Sequence, residues 1–284
     1  MRIDKKDNNQ FHYYDNACDL ASCVDNLPER KGGATNRRNE LAEGKVNSDT
    51  SSDWYGGLTS VQQAKDLVTK GWTEGASRIK TLAESLQASI PEPTSIRRKL
   101  AWSDEGDEID MGKVYSGQLD SCWQTTKRRS TGVAPIIKVN VPWGGHCGRD
   151  SEELFWTAAP ALAIADALET AGYRVELETI TEIQHRDIHN GHTEERQIIR
   201  VCLKDAHSPI DMGTLAALCC HSGVFRTLGF GAILHYDGYV NSSLGTSRKP
   251  NTPLEGITLQ ATLSEQQAID ECKRVFASLE QQAA

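Results

Sequence analysis

Apolar positions along the chain change period several times, and each change marks an element. Ile136, Ile137, Val139 and Val141 form a short β-branched run that predicts a strand buried on both faces. Trp143-Gly144-Gly145-His146-Cys147-Gly148 then breaks all regularity. Asp150 and Glu153 stand three apart ahead of an apolar stretch, as a capping box requires, and acidic first-turn residues suit the helix dipole. Residues 158–171 are rich in helix formers, and Pro160 among them predicts a kink or a restart at that point. Gly172 is placed to end the helix in left-handed backbone. Tyr173, Val175 and Leu177 alternate with Arg174, Glu176 and Glu178, which predicts a strand with one wetter face. Strand, capped helix and strand in this order predict a right-handed crossover onto a parallel sheet.

Around that unit the pattern is thinner. A weak helix is expected over residues 14–24, and residues 26–53 hold so little apolar surface that they read as a flexible linker. Ser60 caps an amphipathic helix ending near Lys70-Gly71, and a second runs from about Glu74 to Ile90, before Pro91 and Pro93. The bracket from Trp54 to Trp72 suggests a small helical subcore. Residues 94–132 are irregular, and residues 181–195 read as a polar excursion. Further strands are expected at 198–203, 232–234 and 257–262, with short helical or turn segments at 210–218 and 224–230. Residues 241–253 read as a loop. Ser264 caps a closing helix with Ala268, Ile269, Cys272, Val275, Phe276 and Leu279 inward. The expectation is an α/β fold, a mostly parallel, Rossmann-like central sheet flanked by helices, with a helical N-terminal subdomain and a flexible polar linker. The divisions fall at 1–53 (polar extension), 54–132 (helical and irregular) and 133–284 (α/β domain).

Composition narrows the function classes. A net charge of −8 over 284 residues argues against a general nucleic-acid binder, which works by neutralising phosphates. The basic clusters Arg97-Arg98-Lys99 and Lys127-Arg128-Arg129 are short, and the first is soon followed by acids. No apolar run approaches the ~20 residues of a membrane span. The first residues lack a signal-peptide core, so a cytoplasmic location is expected, with the eight cysteines as reduced thiols. Cys202 and Cys219 read as buried packing thiols.

Candidate chemistry centres on the loop after the first strand, where open α/β sheets bind ligands. Asn140, Trp143, Gly144, Gly145 and His146 are the candidate binding residues, with Trp143 as an interface anchor or a core side chain. The glycine spacing does not fit G-x-G-x-x-G, and no P-loop follows. A von Willebrand A-type ion site needs D-x-S-x-S at the strand end, but Asn140, Pro142 and Gly144 stand there and cannot ligate a cation usefully. His185, His189 and His192 have the spacing of a metal cluster in a polar connection, and no cofactor is called for elsewhere. His146 and Cys147 form a candidate base and nucleophile without an evident orienting acid. His221 and Arg226 read as a structural turn between two helical pieces.

Three segments taken in order resemble an uncharacterised domain family carried by bacteriophages and mobile elements. They are the Trp54-Tyr55-Gly56-Gly57 to Gly71-Trp72 bracket, the run 158–176 with Ala165-Asp166-Ala167-Leu168-Glu169-Thr170-Ala171-Gly172-Tyr173-Arg174-Val175-Glu176, and Pro209-Ile210-Asp211 through Leu228-Gly229-Phe230. The resemblance spans about residues 54–236 and implies a von Willebrand A-like domain with a degenerate ion site. The family pattern has Pro after the histidine and a second Arg at 227, where this chain has Ser222 and Thr227. No activity comes with it. The expectation is a non-enzymatic module binding a protein partner in the host cytoplasm or the virion. The alternative is a metal-dependent hydrolase or nuclease using His185, His189 and His192.

Overall fold

Seven strands form one mixed sheet, which the computed structural model shows covered on one side by helices. The structure describes residues 1–6, 9–29, 33–46, 53–86, 99–103, 108–109, 111–115, 122–127, 136–187, 193–241, 243–248 and 254–283. In chain order these give β1 (Arg2–Lys6), β2 (Asn9–Tyr14), α1 (Ala17–Ala21), α2 (Thr35–Ala42), α3 (Val61–Lys70) and α4 (Thr73–Leu86). There follow β3 (Lys99–Ser103), β4 (Glu108–Ile109), α5 (Met111–Tyr115), β5 (Trp123–Lys127), β6 (Ile136–Pro142), α6 (Ser151–Ala171), β7 (Arg174–Asp187) and β8 (Thr193–Lys204). The chain closes with α7 (Met212–Cys220), α8 (Ser222–Val224), a π-helical turn Phe225–Gly229, α9 (Phe230–Leu234), β9 (Thr246–Arg248), β10 (Ile257–Thr258) and α10 (Glu265–Ala283).

The strand order is β1-β2-β8-β7-β6-β10, with β9 also on β7. β6 pairs parallel with β7 and β10, and β2 with β8, while β1/β2, β7/β8 and β7/β9 are antiparallel. The α/β class holds, but the sheet is mixed rather than mostly parallel. The crossover from β6 through α6 to β7 is parallel, as the 136–180 pattern predicts. β7 and β8 pair antiparallel along their whole length and run on through residues 181–187 and 193–195, expected to be a connection. Their inward positions there include Thr181 and His185, polar side chains that hide the alternation.

The same concealment applies at the N-terminus. Gln10, His12 and Tyr14 are the buried face of β2, so residues expected to form an extension instead lie inside the sheet. Within the expected linker, α2 forms around Leu41, and the Arg38 guanidinium bonds the carbonyls of Leu27 and Pro28. Residues 232–234, expected as a strand, are helical: a short apolar run does not distinguish a strand from a buried helix. A separate small sheet has the order β3-β5-β4, and Lys99 and Lys127 of the two basic clusters are register partners in it. The arginines of both clusters lie outside the described residues.

α6 is the axis of the core. Leu154 to Ala165, Ala167 and Leu168 are all buried, the mark of a helix enclosed on every side. It lies on β6 and β7 and is surrounded by α4, α7 and α10. The predicted capping box of Asp150 and Glu153 is present, and Gly172 ends the helix at φ 100°. Pro160 sits mid-helix without breaking it. Its missing N–H leaves the Trp156 carbonyl without a helical donor, and the Thr262 hydroxyl donates to that carbonyl instead. Thr157 Oγ1, which donates to the Glu153 carbonyl at 2.9 Å, lies 3.2 Å from the Thr262 carbonyl, so the segment before α10 packs on the middle of α6.

Candidate functional site

Where β6 ends, the sheet divides. β6 stays beside β7 as far as the Pro142–Ile180 pair, and β9 takes up the same edge of β7 from Glu182 onwards. Thr181 lies between the two, and a cleft of about 600 Å³ opens there, at the carboxyl ends of β6 and β10. This is the position at which α/β sheets bind ligands. All five residues expected to bind, Asn140, Trp143, Gly144, Gly145 and His146, line it.

Their roles differ. Trp143 is buried, donates from Nε1 to the Leu218 carbonyl at 2.9 Å and meets Phe225 edge-on at 5.1 Å. It is a wall of the cleft held in the core, which removes it as an exposed interface anchor. Gly144 has φ +85°, and a Cβ there would lie 2.3 Å from Phe225 Cζ, so both backbone and space demand glycine. Asn140 Nδ2 donates to the Glu255 carbonyl at 2.8 Å and lies 3.1 Å from Thr258 Oγ1, stitching β6 to β10. Asn140 Oδ1 is buried and accepts no hydrogen bond among the described residues. The position that would be the first ion ligand in a von Willebrand A domain is thus a staple between strands.

Arg149 and Arg248, together with His146, supply the cleft's ionisable groups, and among its described lining there is no Asp or Glu. Arg149 Nη1 donates to Thr157 Oγ1 at 3.1 Å, and Arg248 Nε donates to Gln184 Oε1 at 2.8 Å. Neither forms an ion pair among the described residues. The Gly148 N–H donates to His146 Nδ1 at 3.1 Å, which places the proton of the neutral ring on Nε2. Because Nδ1 is already engaged, the Cys147 thiol 4.0 Å away faces no available base. Sequence reasoning missed Arg149 and Arg248. Arg149 stood in plain view before the Asp150 cap, whereas Arg248 comes to the cleft only through the β7/β9 pairing, which no local pattern announces.

The other candidates among the described residues are packed away from the cleft or engaged in contacts of their own. His185 is buried, with Nε2 3.1 Å from Gln197 Oε1 and its ring stacked 4.0 Å from Tyr236. Gln197 Nε2 donates to the Ala232 carbonyl at 3.1 Å, so the polar row is locked to α9. His189 and His192 lie outside the described residues, and among those described no three potential ligands are grouped for a metal. Arg226 is buried, bonded to the carbonyls of Trp54 and Arg149, with its guanidinium 4.1 Å over Trp54; burial lowers it to about 10. It clamps the Trp54 segment to the loop behind the cleft. His221 meets Trp72 edge-on at 4.8 Å, its Nδ1 has no partner among the described residues, and burial lowers it to about 4. Cys219 is buried as expected, but Cys202 is exposed on the open face of β8. Cys272, packed under the Pro160 carbonyl, is pushed up to about 12 by burial.

Among the described residues no single helix is long and apolar enough to cross a membrane; the bent pair of α7 with residues 222–234, apolar enough together, is enclosed in the core. Fold and cleft define an α/β domain with a mixed sheet and a cationic cleft at a strand end. The chain belongs to the family described as a domain of unknown function (DUF7192), whose model matches residues 4–283. No curated protein and no solved structure matches it.

Proposed function

We propose that this protein is a non-catalytic binding module whose ligand seats in the cleft at the carboxyl ends of β6 and β10. One observation carries the proposal: a cleft of about 600 Å³, sized for a small ligand, whose walls combine hydrogen-bond donors with the apolar surfaces of Trp143, Ile180 and Leu259. Cys147, which follows the lining residue His146, lies 4.0 Å from a ring nitrogen already engaged by the Gly148 N–H. The volume suits a small molecule or a short protruding segment of a protein partner. The phage or mobile-element setting, the cytoplasmic or virion location and the von Willebrand A-like relationship belong to the same proposal, supported by the resemblance of residues 54–236. For the last, Asn140, Pro142 and Gly144 at the end of β6 are the added support.

Ala261 lies exposed at the cleft wall, so Ala261→Trp fills the mouth without entering the core. In a thermal-shift screen of small molecules, hits on the wild type are expected to vanish with Ala261→Trp while the melting temperature of the free protein is unchanged. Hits that persist in the variant place binding elsewhere.

A further inference from the structure

Resting on the cleft as the binding site, we infer that it recognises an anionic group, a phosphate or a carboxylate, on a ligand with an apolar body. The chain carries a net charge of −8, yet the described lining of the cleft holds two arginines and a histidine and no carboxylate. Arginines on the surface of an acidic protein ordinarily find acidic partners; Lys138 and Arg200 both reach Glu178, on the open face of the sheet. Arg149 and Arg248 are instead held by neutral oxygens, which fixes their direction without neutralising them. Each keeps two guanidinium nitrogens unbonded among the described residues, enough for a bidentate contact with a planar or tetrahedral oxyanion. His146 adds a third donor, because the Gly148 N–H directs its ring proton to Nε2. Elements distant in sequence supply these groups: the loop before α6 gives Arg149 and His146, and β9 gives Arg248. Pro142, Ile180 and Leu259 provide the apolar surface beside them. Asn140 Oδ1, a buried acceptor without a donor among the described residues, suits a hydroxyl or amine on the ligand rather than its anion.

Isothermal titration of the full chain with phenyl phosphate, phenylacetate and phenol tests this, using wild type, Arg149→Gln, Arg248→Gln and Ala261→Trp. Arg248 is exposed, so its replacement is expected to leave the melting temperature unchanged even where Arg149→Gln does not. Support is binding of one or both anions, weakened about tenfold or more by each arginine substitution, with phenol weaker than either. Preference for phenyl phosphate over phenylacetate assigns the phosphate, and the reverse preference assigns the carboxylate. Phenol binding as well as the anions, indifferent to both arginine variants yet lost in Ala261→Trp, overturns the anion assignment and leaves the cleft standing. Anion binding that survives Ala261→Trp overturns the cleft itself, and binding of none of the three probes overturns the anion inference.

Discussion

At the scale of single residues, the clearest physical statement concerns Thr262. A proline in the tenth position of a 21-residue helix removes one N–H, and the cost falls on the carbonyl of Trp156. Thr262 supplies the missing donor from a segment 106 positions away. Thr262→Val leaves that buried carbonyl unsatisfied and is expected to destabilise the protein by about 1–3 kcal/mol in urea unfolding. In a Pro160→Ala background the helical N–H returns, and the same substitution is expected to cost measurably less. Equal costs in both backgrounds would show that Thr262 acts by packing alone. Pro160 was conspicuous in the sequence, but its compensation was not, since nothing local links it to Thr262.

His221 makes a second prediction. Its folded value of about 4 lies below the ordinary 6.5, because burial disfavours the imidazolium. The unfolded chain therefore binds more protons between those values. Stability from this group is fully present above pH 6.5 and is lost as pH falls toward 4, by about 3 kcal/mol in all. The difference in unfolding free energy between wild type and His221→Phe, followed from pH 7 to 4, is expected to change by that order. A constant difference would show that His221 does not titrate below its unfolded value.

Among elements, β6 illustrates what was legible and what was not. Its apolar run, the glycine loop, the capping box and α6 follow from local chemistry and appear where the pattern places them. The cleft-lining role of the loop was legible for the same reason, since ligand sites follow from where a parallel strand ends. β2 and the far half of β7 were hidden, because their buried faces hold Gln10, His12, Thr181 and His185. His12 and His185 both meet Gln197 of β8, and Gln10 accepts from the Asp237 N–H, contacts made only after the strands have paired, so periodicity cannot show them. Asn140 Nδ2 ties β6 to β10 and the residues before it, donating its two protons among the carbonyls of Glu255 and Ile257 and the hydroxyl of Thr258. Asn140→Ala is expected to cost about 2 kcal/mol. Asn140→Asp should cost more at neutral pH, where a buried carboxylate faces two carbonyl oxygens. Adding Mg²⁺ should not rescue it; stabilisation of the aspartate variant by Mg²⁺ in urea unfolding would show that the strand end retains an ion site after all.

For the whole molecule, the division of charge matters most. Acidic residues outnumber basic ones across the chain, 39 to 31, while the described lining of its cleft holds two arginines and no carboxylate. Composition pointed away from phosphate-rich polymers, which require extended positive surfaces, but composition averages over a local pocket. Two elements that meet only in the folded sheet, the β6–α6 loop and β9, create that pocket. The most direct measurement is therefore a map of amide chemical shifts as phenyl phosphate is titrated into the labelled protein. The account predicts saturable shifts concentrated at Gly144, Gly145, His146, Thr181 and Arg248, absent in Ala261→Trp. Saturable shifts concentrated elsewhere, for instance around the small sheet of β3, β4 and β5, would contradict it.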